Sequence, residues 1–177
     1  TLSDQDRYIF ISVDFNIGGC CSVVHVIEGG NPVAVDEFVS HDTYDFVNNL
    51  SRFKSHEINI FPDASGRSGS TNSSRSDIQI IEDAGYRVEA PPANGPIRDR
   101  INSMNGLFSH DKYLINTDKC PNYTNALEVQ GYDKKGEPEK WDTHPAPDDW
   151  VDSAGYFIVR RFGLLRTRVT VSRGVYT

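Results

Sequence analysis

A chain of 177 residues with 37% apolar content has the length of one ordinary domain and enough apolar residues for a real core. Its 18 Lys and Arg against 25 Asp and Glu, a net charge of −7, exclude a protein that coats nucleic acid through charge alone. No run approaches the roughly 18 apolar residues that span a bilayer. The start, Thr1-Leu2-Ser3-Asp4, lacks the basic and apolar regions of a signal peptide and also lacks Met, so neither a membrane nor a secreted protein is expected, and the chain reads as a piece of a longer polypeptide.

The segment Arg7 to Asp14 is rich in aromatic and β-branched residues and predicts a buried strand ending on a carboxylate. After Gly18-Gly19, Cys20 to Glu28 predicts a second strand, Gly29-Gly30-Asn31-Pro32 a turn and Val33 to Val39 a third strand, together an antiparallel meander. Of the three cysteines, Cys20 and Cys21 are adjacent, where a mutual disulfide is strained. They read as small buried hydrophobes of a reducing, cytoplasmic compartment.

From Thr43, a possible cap, Tyr44, Val47 and Leu50 recur at helical spacing. Glu57 to Asp63 repeats the design of the first strand and again delivers an Asp to its end. The Gly- and Ser-rich stretch from Ala64 to Arg75 predicts a mobile loop beyond it. Asp77 to Ala84 predicts a helix closed by Gly85, Tyr86 to Ala90 a strand stopped by Pro91-Pro92, and Ile97 to Phe108 another helix. A short strand over Lys112 to Asn116 follows, then a helix over Cys120 to Val129. Gly131 to Trp141 reads as an exposed hairpin, and a long helix runs from about Pro147 to Phe162. A domain over residues 1–163 and a basic tail over 164–177, with Arg166, Arg168 and Arg173, complete the expected organisation.

Two strands thus end in Asp14 and Asp63, and Asp148, Asp149 and Asp152 lie in the first turns of the last helix, with Asp148 and Asp152 on one helix face. Brought together, these carboxylates repel unless a cation neutralises them, and hard oxygen ligands select Mg²⁺ or Mn²⁺ over zinc. Taken singly, each Asp has a plain structural use in a loop or at the start of a helix. Aspartates on the first strand, the fourth strand and a late helix of a β-β-β-α-β-α scheme form the ribonuclease H-like (integrase/resolvase-like) arrangement: an α/β fold with a mixed central sheet flanked by helices.

The motifs Ser12-Val13-Asp14-Phe15, Phe61-Pro62-Asp63-Ala64-Ser65-Gly66-Arg67, Ile97-Arg98-Asp99-Arg100-Ile101-Asn102 and Asp148-Asp149-Trp150-Val151-Asp152-Ser153-Ala154-Gly155-Tyr156 resemble the C-terminal nuclease domain of the large terminase subunit of tailed double-stranded DNA bacteriophages of the headful packaging type. The resemblance implies a metal-dependent endonuclease that cuts concatemeric double-stranded DNA in the host cytoplasm during viral assembly. It implies Asp14, Asp63 and Asp152 as catalytic metal ligands, with Asp14 bridging two ions. For Asp148 and Asp149 it leaves two roles open: a water-mediated place in the second ion's shell, and capping of the helix. Two Mg²⁺ or Mn²⁺ ions roughly 3.5–4 Å apart activate water on one side and stabilise the leaving oxygen on the other. The implied partners are an upstream ATPase motor, whose phosphate loop is absent from this sequence, the portal protein and the small terminase subunit, with no membrane.

Arg67, Arg75, Lys134, Lys135 and His144 are the candidate DNA contacts, each weighed against an ordinary solvated or structural role. The hairpin carrying Lys134 and Lys135 reads as a gate beside the site. Arg98 and Arg100 match a basic stretch of the resembled family, with plain pairing to Asp99 or Asp111 on their helix as the other reading, and stay outside the catalytic set; Tyr156, Phe157, Ile158 and Phe162 are expected to pack in the core. Two other functions compete: a transposase or resolvase nuclease on the same fold, and a non-catalytic docking module that uses the basic tail.

Overall fold

The computed structural model describes residues 2–3, 6–16, 18–67 and 75–163; the expected basic tail and residues 68–74 of the Ser/Gly stretch lie outside the described residues. Three long strands, β1 (Tyr8–Asn16), β2 (Gly19–Glu28) and β3 (Asn31–Ser40), form the antiparallel meander. Gly29 and Gly30 take positive φ in its second turn, a conformation that side chains with a Cβ resist. Helix α1 (Thr43–Leu50) leads to β4 (Glu57–Pro62), α2 (Asp77–Asp83) and β5 (Arg87–Val88). Then come α3 (Ile97–Phe108), β6 (Leu114–Ile115), α4 (Pro121–Val129) and α5 (Pro147–Phe162). The sheet order β5-β4-β1-β2-β3-β6 mixes antiparallel pairs within the meander with parallel pairs elsewhere, and makes the ribonuclease H-like α/β fold.

Strand parity divides the core. Ile9, Ile11 and Val13 of β1, with Ile60 of β4, face one cluster with Phe46, Leu50 and Ile81 of α1 and α2. Phe10 and Phe61 face the other, with Met104, Tyr123, Ala154, Phe157 and Ile158 of α3, α4 and α5. Side chains alternate along a strand, so Asp14 shares the α5 face with Phe10, and Asp63 emerges on the same face two residues after Phe61. β1 and β4 are parallel neighbours, with Val13 opposite Pro62. The two aspartates therefore leave adjacent strands at the same level and on the same side.

Some boundaries differ from expectation for local reasons. Asp42, not Thr43, caps α1, its carboxylate accepting from the Asp45 amide at 2.8 Å. The strands expected over 86–90 and 112–116 shrink to two residues each, because they are edge segments paired on one side only that leave the sheet after Val88 and Ile115 while β4 and β3 run on. The hairpin over 131–141 forms an antiparallel bridge, Tyr132 to Pro138, around Gly136 at positive φ, and is closed by the Asp133 amide donating to the Glu137 carbonyl at 2.8 Å and the Glu139 amide to the Gly131 carbonyl at 3.1 Å. The three cysteines are free and buried, and burial pushes the Cys20 and Cys120 thiols up to about 12, which suits inert core residues.

A polar chain threads the α5-side core: Tyr123 donates to the Tyr113 hydroxyl at 3.0 Å, which is hydrogen-bonded to His25 Nε2 at 2.7 Å. Burial lowers the His25 pKa to about 3, so the folded protein keeps it neutral. The unfolded chain binds this proton near pH 6.5, so His25 favours the fold fully above that pH and progressively less as pH falls toward 3. Tyr113→Phe strands both His25 Nε2 and the Tyr123 hydroxyl and is expected to lower unfolding free energy by about 1–3 kcal/mol in urea titrations. A loss within the ~0.5 kcal/mol of ordinary surface changes would contradict this assignment.

Candidate active site

Helix α5 lies across the sheet face from which Asp14 and Asp63 emerge. Its lower side is anchored by Trp150, Ala154, Phe157 and Ile158, and Ser153 Oγ donates to Ser12 Oγ at 3.3 Å, which fixes the helix against β1 two residues before Asp14. Pro147 occupies the first turn, where its missing N–H is harmless. Asp149 turns back to accept from the Ala146 amide at 2.7 Å and so caps the helix. Asp148 and Asp152 occupy the neighbouring face, one turn apart.

Asp14, Asp63, Asp148 and Asp149 are all buried, and Asp152 is mostly so. Burial first, and then the charge of Asp152, push the Asp14 carboxyl up to about 7; a hydrogen bond from Tyr156 opposes the rise, and Asp63 and Asp149 add to it. Each carboxylate has definite partners. Tyr156 donates to Asp14 Oδ1 at 2.9 Å, and Asn16 Nδ2 donates to Asp14 Oδ2 at 2.7 Å and to Asp149 Oδ1 at 2.9 Å, one neutral amide joining two acids. Asp63 Oδ2 accepts from the Ser65 amide at 3.1 Å and from Asn94 at 3.4 Å. Arg100 pairs with Asp152 Oδ1, and Lys140 reaches Asp152 Oδ2 at 2.7 Å and Asp148 Oδ2 at 3.0 Å.

Two buried carboxylate oxygens, Asp63 Oδ1 and Asp148 Oδ1, have no hydrogen-bond partner among the described residues. An oxygen-only, acid-rich donor set with such orphaned atoms fits a hard divalent cation. Among the described residues no three His, Cys, Asp or Glu side chains stand at metal-shell spacing as they are, and Lys140 and Arg100 occupy Asp148 and Asp152.

Asp14, Asp63, Asp148, Asp149 and Asp152 therefore meet in one place, while the candidate DNA contacts separate. His144 belongs to the cluster: its Nδ1 lies 2.8 Å from Asp149 Oδ2, and that bond raises its pKa. Arg67 instead fastens the loop after Asp63 to the Ala90 and Pro91 carbonyls, and Arg75 pairs with Asp83 at 2.9 Å. Lys134 and Lys135 are exposed at the hairpin tip. Two expectations are corrected. Arg100 pairs with Asp152 rather than Asp99 or Asp111, because it runs inward across α5. Tyr156 is half-buried with its hydroxyl on Asp14, because it follows Asp152 by four residues and shares its face.

Residues missed in the sequence are Asn16, Lys140 and the active-site use of Arg100. Gly155 is the signal for the last: a Cβ there would lie 2.5 Å from Arg100 Cγ and Cδ, so only glycine lets the guanidinium lie along α5, 4.8 Å from the Tyr156 ring centroid. Helix propensity alone makes Gly→Ala favourable by about 0.5–1 kcal/mol, and at Gly106 of α3, where a Cβ meets nothing, that gain is expected. Gly155→Ala is expected to lower the melting temperature instead, because it expels Arg100 from Asp152; a gain equal to that of Gly106→Ala would show that the Arg100 contact is dispensable.

The terminase RNaseH-like domain family matches residues 46–161, a span that contains Asp63, Arg100, Lys140, the acids of α5 and Tyr156. Curated protein sequences give no match. Among solved structures, the large terminase of the thermophilic bacteriophage D6E aligns with a TM-score of 0.71 at 16% identity over 90% of this chain and 41% of that one. The nuclease domain of the bacteriophage SPP1 large terminase g2p, with bound Mn, gives 0.57 at 18% identity over 89% and 88% of the two chains. The large terminase nuclease of the thermophilic phage G20c, with bound magnesium, gives 0.59 at 15% identity over 86% and 80%. This chain thus spans less than half of the D6E protein and the greater part of the two nuclease domains. At these identities the structures establish the fold, and the family match over most of the chain establishes kinship: this protein belongs to the terminase RNaseH-like domain family.

Proposed function

We propose that this domain is a divalent-metal-dependent endonuclease that cuts concatemeric double-stranded DNA during viral genome packaging in the host cytoplasm, working beside an ATPase motor, a portal protein and a small terminase subunit. The observation that carries the reading is the convergence of five aspartates from two adjacent parallel strand ends and one helix, with two buried carboxylate oxygens unpartnered. The metal-bound nucleases of SPP1 and G20c, which share the fold, support it.

Asp14 and Asp63 are the proposed first ligands, with Asp152 and Asp148 completing a second site. Two bound Mg²⁺ or Mn²⁺ ions would supply an activated water and charge stabilisation at the leaving oxygen. The chain's own residues do the rest. Tyr156 and Asn16 each donate to one oxygen of Asp14 and so fix the plane of its carboxylate. Asn94 and the Ser65 amide hold Asp63 Oδ2 and leave Oδ1 turned to the site. Asp149 spends its oxygens on the helix cap, Asn16 and His144, and so serves as a positioning residue. The net charge of −7 weakens binding of free DNA, so tethering to the motor would supply local concentration and restrain indiscriminate cutting.

Nicking of supercoiled plasmid is the direct test. Wild type is expected to nick with Mg²⁺ or Mn²⁺ and not with EDTA, and Asp14→Asn, Asp63→Asn and Asp152→Asn should each lose more than about a hundredfold, beyond the usual cost of losing an outer partner. Tyr156→Phe and Asn16→Ala, which remove such outer partners of Asp14, should lose about 10–100-fold with the fold intact. Undiminished nicking in the three Asp variants would refute the assignment.

The Asp14 carboxyl gives a pH signature. Its folded pKa of about 7 lies above the ordinary 3.8, so the metal-free fold binds the proton more tightly, and Asp14 disfavours the fold increasingly as pH rises from about 4 to 7. A cation needs the ionised form. The thermal stabilisation by Mn²⁺ is therefore expected to be larger at about pH 8 than at about pH 6, with protons released on binding; a pH-independent Mn²⁺ shift would contradict Asp14 as a ligand.

A further inference from the structure

The two cations that serve the α5 acids are held very differently. Arg100 is 7% exposed, lies along Gly155 and over the Tyr156 ring, and sits in the first turn of α3. Lys140 stands just beyond the last backbone pairing of the hairpin, the Glu139 amide donating to the Gly131 carbonyl at 3.1 Å, with 49% of its side chain open to solvent. It leads into residues 141–145, which make no backbone–backbone hydrogen bond among the described residues. Yet this half-exposed ammonium supplies a contact of 2.7 Å to Asp152 and one of 3.0 Å to Asp148, whose own side chain is 5% exposed and whose other oxygen is orphaned among the described residues.

An ammonium bridging two carboxylates that are one helical turn apart does electrostatically what a cation bound there would do, with half the charge of a divalent ion. Arg100 cannot leave without unpacking α3 from α5, whereas Lys140 can swing into solvent by side-chain rotation alone, and the buried carboxylates it leaves then need another cation in its place.

Resting on the metal-centre reading above, we propose that Lys140 is an internal counter-cation that occupies the Asp148–Asp152 half of the acidic cluster and must withdraw before a divalent ion binds there. Lys140 then sets the loading of the site: the Asp14–Asp63 half, where no cationic side chain among the described residues pairs with either acid, takes an ion first, and the Asp148–Asp152 half fills only by displacing the lysine. The device offsets the repulsion between Asp148 and Asp152 without metal and limits the fully loaded state.

Isothermal titration of Mn²⁺ into the metal-free chain, with melting curves for the same samples, tests this. Lys140→Met keeps the length of the side chain and removes its charge. It is expected to bind Mn²⁺ about tenfold more tightly or to take up an additional ion, and to melt lower without metal but recover with Mn²⁺. Lys140→Arg, which keeps the charge, should bind no more tightly than wild type. Lys135→Met, which removes the same charge from the same hairpin without touching the carboxylates, should match wild type. Unchanged or weakened Mn²⁺ binding by Lys140→Met, or an equal gain in Lys135→Met, overturns the proposal while leaving the metal centre standing. Absence of Mn²⁺ binding in wild type and Lys140→Met alike at millimolar metal overturns both.

Discussion

Repulsion among carboxylates gathered in a water-poor corner is the constraint around which this domain is arranged. The fold creates it through parity and parallel pairing: Asp14 and Asp63 leave neighbouring strands on one face, and α5 brings three more acids to the same end. Burial first, and then the neighbouring charges led by Asp152, push the Asp14 carboxyl up to about 7. The chain meets this with an ordered set of donors. A tyrosine and an asparagine serve Asp14, an amide and a histidine serve Asp149, and an arginine and a lysine serve Asp152. The two oxygens left without donors, on Asp63 and Asp148, mark where neutralisation by the protein stops.

Such a cluster is tolerable only on a rigid support. The sheet is packed on both faces, and α5 is pinned by Phe157 and Ile158, both fully buried, with Phe157 within 5.3 Å of Phe10 and 5.2 Å of Phe61, ring centre to ring centre. Those rings sit on β1 and β4 a few residues before the aspartates, so the packing that stabilises the domain also fixes the separation of its acids. Fold and site are thus held by one set of contacts, whereas the hairpin that carries Lys140 lies outside it.

Much of this was legible in the sequence. Alternation along β1 and β4 places the strand-end acids, and the bounds of α3 and α5 follow from Pro147, the helical spacing and the Phe162-Gly163 ending. Asn16 could have been read from the same alternation, since it lies two residues beyond Asp14 and shares its face. Gly155 inside a helix was a visible sign of a close approach. Arg100 and Lys140 were not legible as partners of Asp152, because those contacts join residues 52 and 12 positions apart through the packing of α3 on α5 and the return of the hairpin. The two-residue edge strands were overestimated for a related reason: intrinsic preference sees the residues but not where the segment leaves its neighbour in the sheet.

The central claim is that the strand-end acids form a cation site. Anomalous diffraction from crystals of the DNA-free domain grown with Mn²⁺ tests it most directly. The account predicts a manganese peak bonded to Asp14 and to Asp63 through Oδ1, the oxygen left unpartnered in its absence. Well-diffracting crystals with no peak at these residues, Asp63 Oδ1 still unpartnered at millimolar Mn²⁺, would contradict it.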